Sequence, residues 1–204
     1  MKKLLLVDSS PKIEHSLSRM LTDEVAQRWL SAHEDGLIIH RDIGLNPPSH
    51  LNDELIQILK SNSRKDHDEH LEAELLLTQQ IIEEFISADV IVIGSPMFNF
   101  GITSQLKAWV DRLAVPGQTF QYTENGPEGL VPDKPVYIIM TRGGYYHSPE
   151  MQLLDHQEPY LQSVLKFFGI SSVTMFRVEG VDISPDLRAN AVMEAKDQIS
   201  QITF

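Results

Sequence analysis

The chain has 204 residues, 42% of them hydrophobic, which is enough to bury one sizeable core and predicts a single domain over residues 1–204. Its 29 acidic residues against 17 basic ones give a formal net charge of −12, which argues against nucleic acid and anionic membrane surfaces as partners. The absence of cysteine excludes thiolate nucleophiles, disulfides and iron–sulfur clusters, so any redox chemistry requires a bound cofactor.

Four short apolar runs predict strands, because each has the length of a strand and ends at small or turn-forming residues, and a weaker run at residues 37–40 would make five. The four lie at residues 4–7, 90–93, 136–140 and 173–178. Helical patterns lie at residues 18–32, 53–59, 71–87, 104–113, 151–168 and 185–202. The first run ends at Asp8, too soon for a secretory leader, and no run approaches the roughly 18 residues of a membrane span. We therefore expect a soluble, cytoplasmic protein.

Strand and helix alternate along the chain, which predicts right-handed parallel crossovers and an α/β fold with helices on both faces of the sheet. Five strands in a chain of this length suit a flavodoxin-like three-layer fold with a five-stranded parallel sheet in the order 2-1-3-4-5. A ligand of such a fold binds at the carboxyl ends of the strands, so we expect the chemistry in the loops after strands one, three and four. Residues 42–70 and 114–135 form longer connections, which are interpreted as lids, interface loops or decoration.

Hydroxyl groups follow the first strand at Ser10 and open the first helix at Ser16 and Ser18, with Leu17 between the last two. Such groups at a helix N-terminus favour a phosphate, although Ser16 or Ser18 alone would also serve as a helix cap. Neither G-x-G-x-x-G nor G-x-x-x-x-G-K-[ST] occurs, so the loop fits a mononucleotide monophosphate. His15 and Arg19 flank this loop, and we interpret both as surface residues, the alternative being that they add positive charge to the phosphate site.

The loop after the third strand contains Pro96, Met97, Phe98, Asn99 and Phe100. A proline fixes the turn, and two aromatic side chains flank an amide before a new helix begins near residue 103 or 104. A planar heterocycle needs apolar walls with a few polar groups at its edge, and this loop supplies both. The alternative is that Phe98 and Phe100 are core residues.

The loop after the fourth strand contains Thr141, Arg142, Gly143, Gly144, Tyr145 and His147. Paired glycines allow a ligand to approach the backbone, or they permit a tight turn with positive φ. Their N–H groups are suited to a ring on which negative charge develops. His147 is a candidate substrate contact, and the alternative is a solvated histidine.

These motifs, together with Gln105-Leu106-Lys107 and the string from Tyr122 to Leu130 (Y-T-E-N-G-P-E-G-L), resemble the FMN-dependent NADH-azoreductases, a family of NAD(P)H:quinone oxidoreductases. The resemblance extends from the first strand to the last helix. It implies a homodimer with one FMN per subunit at the interface, and NADH or NADPH as the electron donor. Quinones or azo compounds would be reduced by two-electron ping-pong hydride transfer through flavin N5, with no catalytic protein residue.

The same resemblance assigns the residues of the site. Ser10 and Ser16 to Ser18 would hold the phosphate, while residues 96–100 (Pro96, Met97, Phe98, Asn99, Phe100) and 141–144 (Thr141, Arg142, Gly143, Gly144) would hold the isoalloxazine ring. Phe120 would wall the substrate side, with Tyr145 and His147 as further substrate contacts. Two positions depart from many relatives, which have Tyr where this chain has Phe98 and Ser where it has Thr141, so a hydrogen bond from residue 98 is in question.

Other classes of protein remain as alternatives. A flavodoxin-type electron carrier has the same fold and no substrate turnover of its own. A phosphoacceptor receiver domain needs an acidic residue at the end of strand three, where this chain has Gly94-Ser95-Pro96. A serine hydrolase needs G-x-S-x-G, which Gly94-Ser95 does not complete. The segment His67-Asp68-Glu69-His70 has the residue types of a metal site, and we interpret it as a solvated polar face.

Overall fold

The computed structural model describes residues 1–61 and 68–204. Five parallel strands form one sheet, and a separate antiparallel pair lies between its third and fourth strands in sequence. The strands are β1 (Lys3–Asp8), β2 (Leu37–Asp42), β3 (Val90–Pro96), β4 (Phe120–Thr123), β5 (Gly126–Gly129), β6 (Val136–Thr141) and β7 (Val173–Val178). The sheet order is β2-β1-β3-β6-β7, which confirms the predicted order 2-1-3-4-5 and the flavodoxin-like fold class.

The central strands are apolar throughout because both of their faces are covered. In β1, Leu5 and Val7 point into one core cluster while Leu4 and Leu6 point into the other, as the alternation of side chains along a strand requires. The first cluster also contains Phe85, Trp109 and Phe168, and the second contains Trp29 and Ile199. Helices therefore pack on both faces of the sheet.

Seven helices are described. They are α1 (Leu17–Ala32), α2 (Asp53–Ser61), α3 (Glu69–Ser87), α4 (Ser104–Leu113), α5 (Pro149–Gln152), α6 (Glu158–Phe168) and α7 (Pro185–Ser200). None of them, in the residues described, is long and apolar enough to cross a membrane.

The predicted continuous helix at residues 151–168 is wrong, because the chain forms α5 and α6 with a break between them. Asp155 Oδ1 accepts hydrogen bonds from the backbone N–H groups of Gln157 and Glu158, at 3.0 and 3.1 Å, and so satisfies the free donors at the start of α6. Pro159, in the first turn of α6, has no N–H to continue an earlier helix.

The connection at residues 114–135, interpreted from the sequence as a long loop, contains the hairpin of β4 and β5. Phe120 on β4 is buried against Phe167 of α6, with ring centroids 4.4 Å apart. Gly129 on β5 lies so close to α6 that a Cβ atom there would be 2.1 Å from the backbone nitrogen of Gly169. The hairpin is therefore docked on α6.

His67 of the suggested metal cluster lies outside the described residues. Its neighbour Asp68 is the N-cap of α3 and accepts a hydrogen bond from Leu71 N at 2.8 Å. Within residues 1–61 and 68–204, no group of three or more His, Asp or Glu side chains is placed to hold a metal ion.

Candidate functional site

A cavity of about 280 Å³ opens at the carboxyl ends of β1, β3 and β6. This is the edge of the sheet at which the strand order reverses, where ligands of doubly wound folds bind. The cavity is lined by eight of the residues predicted from the sequence: Ser10, Ser16, Leu17, Pro96, Met97, Phe98, Thr141 and Gly143. The three predicted loops therefore meet at one place.

One end of the cavity is formed by hydroxyl groups and the N-terminus of α1. Ser16 is the N-cap of this helix, yet its Oγ is 3.5 Å from Arg19 N, a long distance for a hydrogen bond, and it also lines the cavity. Ser18 is buried behind it, with its Oγ 3.2 Å from that of Ser16. The first turn of α1 has no acidic side chain, so the helix dipole favours an anion here.

Arg19 holds the loop in place between β1 and α1. Its guanidinium group donates to Ser10 O at 2.8 Å and Lys12 O at 3.0 Å, and it forms two hydrogen bonds with Asp42, at 2.6 and 2.7 Å. The interpretation of Arg19 as a surface residue is wrong, because its side chain is only 15% exposed. The hydrogen bonds with Asp42 raise the pKa of Arg19 above its ordinary value, so the clamp remains charged.

The loop after β3 contains a two-residue turn. Phe98 N donates to Gly101 O at 2.9 Å and Gly101 N donates to Phe98 O at 3.0 Å, while Asn99 and Phe100 have φ of 48° and 70°. This is the pattern of a type I′ turn, which favours Asn and strains a bulky residue such as Phe. Phe98 and Phe100 are 39% and 44% exposed, so the alternative that they are core residues is excluded. Asn99 and Phe100 lie at the tip of the turn, while Phe98 lines the cavity.

In the loop after β6, Gly143 lies close to the exposed side chain of Asp182. A Cβ atom on Gly143 would lie 2.7 Å from Asp182 Oδ2, whereas one on Gly144 would meet nothing within 4 Å. Neither residue has a positive φ, so the alternative of a left-handed turn does not apply. Asp182 N donates to Gly143 O at 3.2 Å, which joins this loop to the one after β7.

The structure does not bring the Arg142 side chain to the cavity. Its guanidinium group is buried on the other side of the loop, 2.9 Å from Asp155 and 2.9 Å from Glu179. There it lines a larger cavity of about 560 Å³ with Tyr146 and His147. Despite its size, that cavity contains only this one of the predicted cofactor residues.

The predicted substrate residues also lie outside the smaller cavity of this single chain. Phe120 is buried in the hairpin, and Tyr145 lies against Gly180, where a Cβ atom would be 2.6 Å from the tyrosine Cζ. His147 is largely exposed, with its Nδ1 3.8 Å from Glu179 Oε2 and its ring centroid 5.4 Å from that of Tyr145.

Four residues that line the cavity were missed by sequence reasoning: Lys12, Val181, Asp182 and Arg188. The last three follow β7, the strand that neighbours β6. The predicted strand order was a signal that could have found them, because the carboxyl end of the fifth strand lies at the same edge of the sheet.

The cavity has a polar end with hydroxyl, helix N-terminal and cationic groups, and an apolar wall of Pro96, Met97 and Phe98. These donors suit a phosphate, and the wall suits a planar ring, so the residues present fit a flavin mononucleotide. Fold and cavity together define a flavodoxin-like mononucleotide-binding protein. A family model described as "Flavodoxin-like fold" matches residues 2–203, and the chain belongs to this family.

The particular relatives are reductases. The FMN-dependent NADH:quinone oxidoreductase of Azospirillum brasilense is 45% identical over 201 residues, which cover 98% of this chain and 97% of that protein. The protein of the same name from Rhizobium meliloti (strain 1021) is 42% identical over 199 residues, covering 98% and 96%. These relatives confirm the family that the sequence motifs predicted.

A solved structure confirms the fold. The FMN-dependent NADH-azoreductase from Bacillus anthracis str. Ames Ancestor, crystallised in complex with FMN, matches with a TM-score of 0.87 at 23% sequence identity. The match covers 98% of this chain and 99% of that one.

Proposed function

We propose that this protein is an FMN-dependent oxidoreductase that uses NADH, or NADPH, to reduce quinones and azo compounds. One observation carries the proposal: three loops distant in sequence meet at one cavity that has a phosphate-binding end and an apolar wall. The full-length similarity to FMN-dependent NADH:quinone oxidoreductases supports it. The proposal treats residues 1–204 as one domain and places it in the cytoplasm.

The binding of FMN is divided between the two ends of the cavity. Ser10, Ser16 and the free N–H groups at the start of α1 hold the phosphate, because hydroxyls and a helix N-terminus donate to an anion. The segment from Pro96 to Phe98 would pack against the ring, and Thr141 and Gly143, which line the same cavity, would lie at its polar edge.

When bound, FMN supplies a ring that accepts two electrons from one molecule and passes them to another. The apolar side chains of Met97 and Phe98 exclude water from this ring. Arg142 N donates to Val178 O at 2.9 Å, so the N–H groups of Gly143 and Gly144 are the ones in this loop that would stabilise negative charge on the ring. No side chain is needed as a nucleophile, and the oxidised nicotinamide leaves before the acceptor takes its place, which is a ping-pong order.

A homodimer is part of the proposal. Phe98, Phe100, Leu153 and Leu154 are exposed, and His156 N donates to Phe100 O at 2.9 Å, so the segment after α5 meets the turn after β3. An exposed apolar group of this kind is typical of an interface. Phe120, Tyr145 and His147 do not line the cavity of a single chain. Their proposed role as acceptor contacts therefore requires a dimer, in which a second chain completes the site.

The first test is the visible spectrum of the purified protein after incubation with FMN. A retained yellow flavin supports the proposal, and a colourless protein contradicts it. Under anaerobic conditions, NADH should bleach the flavin, and a quinone added afterwards should restore the colour. In a separate steady-state assay, double-reciprocal plots at several quinone concentrations should give parallel lines, as a ping-pong order requires. A carrier would instead oxidise NADH very slowly and give a long-lived flavin radical on titration with dithionite.

A further inference from the structure

Arg188 lies in the first turns of α7 and reaches across to the polar end of the cavity. Its Nη2 is 3.5 Å from His15 O and its Nη1 is 3.9 Å from Asp182 Oδ1, and the side chain is 38% exposed. It lines the cavity together with Ser10 and Ser16. Arg188 is therefore a guanidinium group beside the hydroxyls that face the proposed phosphate.

The contacts of Arg188 are loose compared with those of other arginines in this protein. Arg19 donates to Asp42 at 2.6 and 2.7 Å, and Arg142 is held by carboxylates at 2.9 Å. Both contacts of Arg188 are at or beyond the limit of a hydrogen bond, although a guanidinium group has five N–H donors. Those donors are available to an anion that enters the cavity.

The local charge also favours an anion, in contrast to the net charge of −12 of the whole chain. Lys12, His15 and Arg188 line the cavity, with Asp182 as the acidic residue among its lining. A phosphate monoester carries nearly two negative charges at neutral pH and presents several oxygens. Arginine recognises this geometry with two parallel hydrogen bonds, which lysine cannot do.

We propose that Arg188 binds the phosphate group and makes the cavity selective for FMN over riboflavin, the same ring and ribityl chain without phosphate. The inference rests on the proposed function and deepens it, because it names the residue that distinguishes the two flavins. The serine hydroxyls and the N-terminus of α1 supply neutral donors, and Arg188 supplies a full positive charge.

The test compares two ligands on matched variants of the full-length chain after removal of bound flavin. Fluorescence titration measures the dissociation constants of FMN and riboflavin for the parent chain, Arg188→Gln, Arg188→Lys and the control Lys196→Gln. Lys196 lies on the same helix and pairs with Glu24 at 3.2 Å, so its replacement removes the same charge at a distance from the cavity.

Arg188→Gln should weaken FMN binding by about 10- to 100-fold, the range for hydrogen bonds to charged groups, and change riboflavin binding less than about twofold. The FMN dissociation constant of Arg188→Lys should fall between those of the parent chain and Arg188→Gln, and that of Lys196→Gln should match the parent. Equal loss of both flavins in Arg188→Gln, or no loss of FMN, would overturn the role of Arg188. If the parent chain bound neither flavin, the proposed function itself would fail, and this inference with it.

Discussion

Gln157 Oε1 accepts a hydrogen bond of 3.0 Å from Arg142 Nε, and both side chains are buried. The same amide donates from Nε2 to Ser95 O at 2.7 Å. Ser95 belongs to the end of β3 and Arg142 follows β6, so one side chain joins the two loops that we propose to hold the flavin ring. Gln157 lies in the break between α5 and α6, and this break places its side chain between Ser95 and Arg142.

Gln157→Leu should lower the free energy of unfolding by about 2 kcal/mol or more, because it leaves Ser95 O and Arg142 Nε buried without this partner. It should also weaken FMN binding by shifting both loops. Urea denaturation of the flavin-free protein measures the first effect, and an FMN titration the second. Gln162→Leu is the control, since Gln162 is exposed on the same helix and should change stability by no more than about 0.5 kcal/mol. Equal effects of the two replacements would contradict the joining role.

Gly143→Ala should weaken FMN binding by about two- to fivefold, because the new methyl group displaces the exposed Asp182 carboxylate from its position at the cavity wall. Gly144→Ala is the matched control and should have little effect, since no atom lies near its added carbon. Adding Asp182→Ala to Gly143→Ala should restore much of the affinity, and titration of the four proteins forms a double-mutant cycle. Additive losses in that cycle would show that this displacement is not the cause.

Two replacements of Asn99 distinguish the role of its side chain from the role of its backbone conformation. Asn99→Gly keeps a residue that accepts the φ of 48°, whereas Asn99→Ala adds about 1 kcal/mol of strain in the left-handed region. If the amide contacts FMN, both variants should retain FMN less well, and only the alanine variant should also lose stability. Thermal denaturation and an FMN titration give the two quantities. Full FMN affinity in Asn99→Gly would mean that Asn99 acts only through the turn.

His40 should make stability depend on pH. Its Nε2 is 2.9 Å from Asp8 Oδ2, and this hydrogen bond raises the pKa of His40 above its ordinary value, against the opposing effects of burial and of Arg19. The folded-state pKa is therefore the higher one. The stabilisation is complete below about pH 6.5, the unfolded value, and is lost as the pH rises through the folded-state pKa.

Urea denaturation of the flavin-free chain and of His40→Gln over the range from pH 5.5 to 9 should therefore give two curves. The difference between them should be largest at the acidic end and shrink as the pH rises. A difference that grew with pH would reverse the sign of the linkage and refute the pairing of His40 with Asp8.

The proposed dimer can be tested at its most exposed apolar side chain. Leu153 is 78% exposed, three residues before His156, whose N–H donates to Phe100 O, and an aspartate there would place a charge in the proposed interface. Light scattering after size exclusion should show a dimer for the parent chain and a monomer for Leu153→Asp. Met193→Asp, an equally drastic change on α7, should leave the dimer intact. A monomeric parent chain would exclude the dimer directly.

The sheet and its order could be predicted because the central strands are apolar on both faces and leave a continuous signal in the sequence. The hairpin was missed, since Gly126, Pro127 and Gly129 are residue types that strands usually lack. The Arg19 clamp was missed for another reason. It depends on the parallel register that sets Asp8 of β1 beside Asp42 of β2, two carboxylates that are far apart in sequence. Periodicity within a single element cannot reveal such a pair.

The loops that line the cavity were predictable where one motif contains several kinds of signal, as at Pro96, Met97 and Phe98. Arg188 was not predictable, because it is an ordinary polar residue of α7, and only the tertiary structure places it beside His15 at the cavity. Arg142 shows the opposite case. It adjoins the two glycines in sequence, but the direction of its side chain is set by Asp155 and Glu179.

The β4–β5 hairpin is inserted between two neighbouring strands of the sheet without changing their order. It rests on α6 through Phe120 and Gly129, while the cofactor cavity is built by other loops. Changes at the exposed hairpin positions, away from Phe120 and Gly129, should therefore leave the cofactor cavity undisturbed. Under the proposed function, in which Phe120 contacts the acceptor, such a segment would allow a lineage to exchange one electron acceptor for another while it keeps the same redox centre.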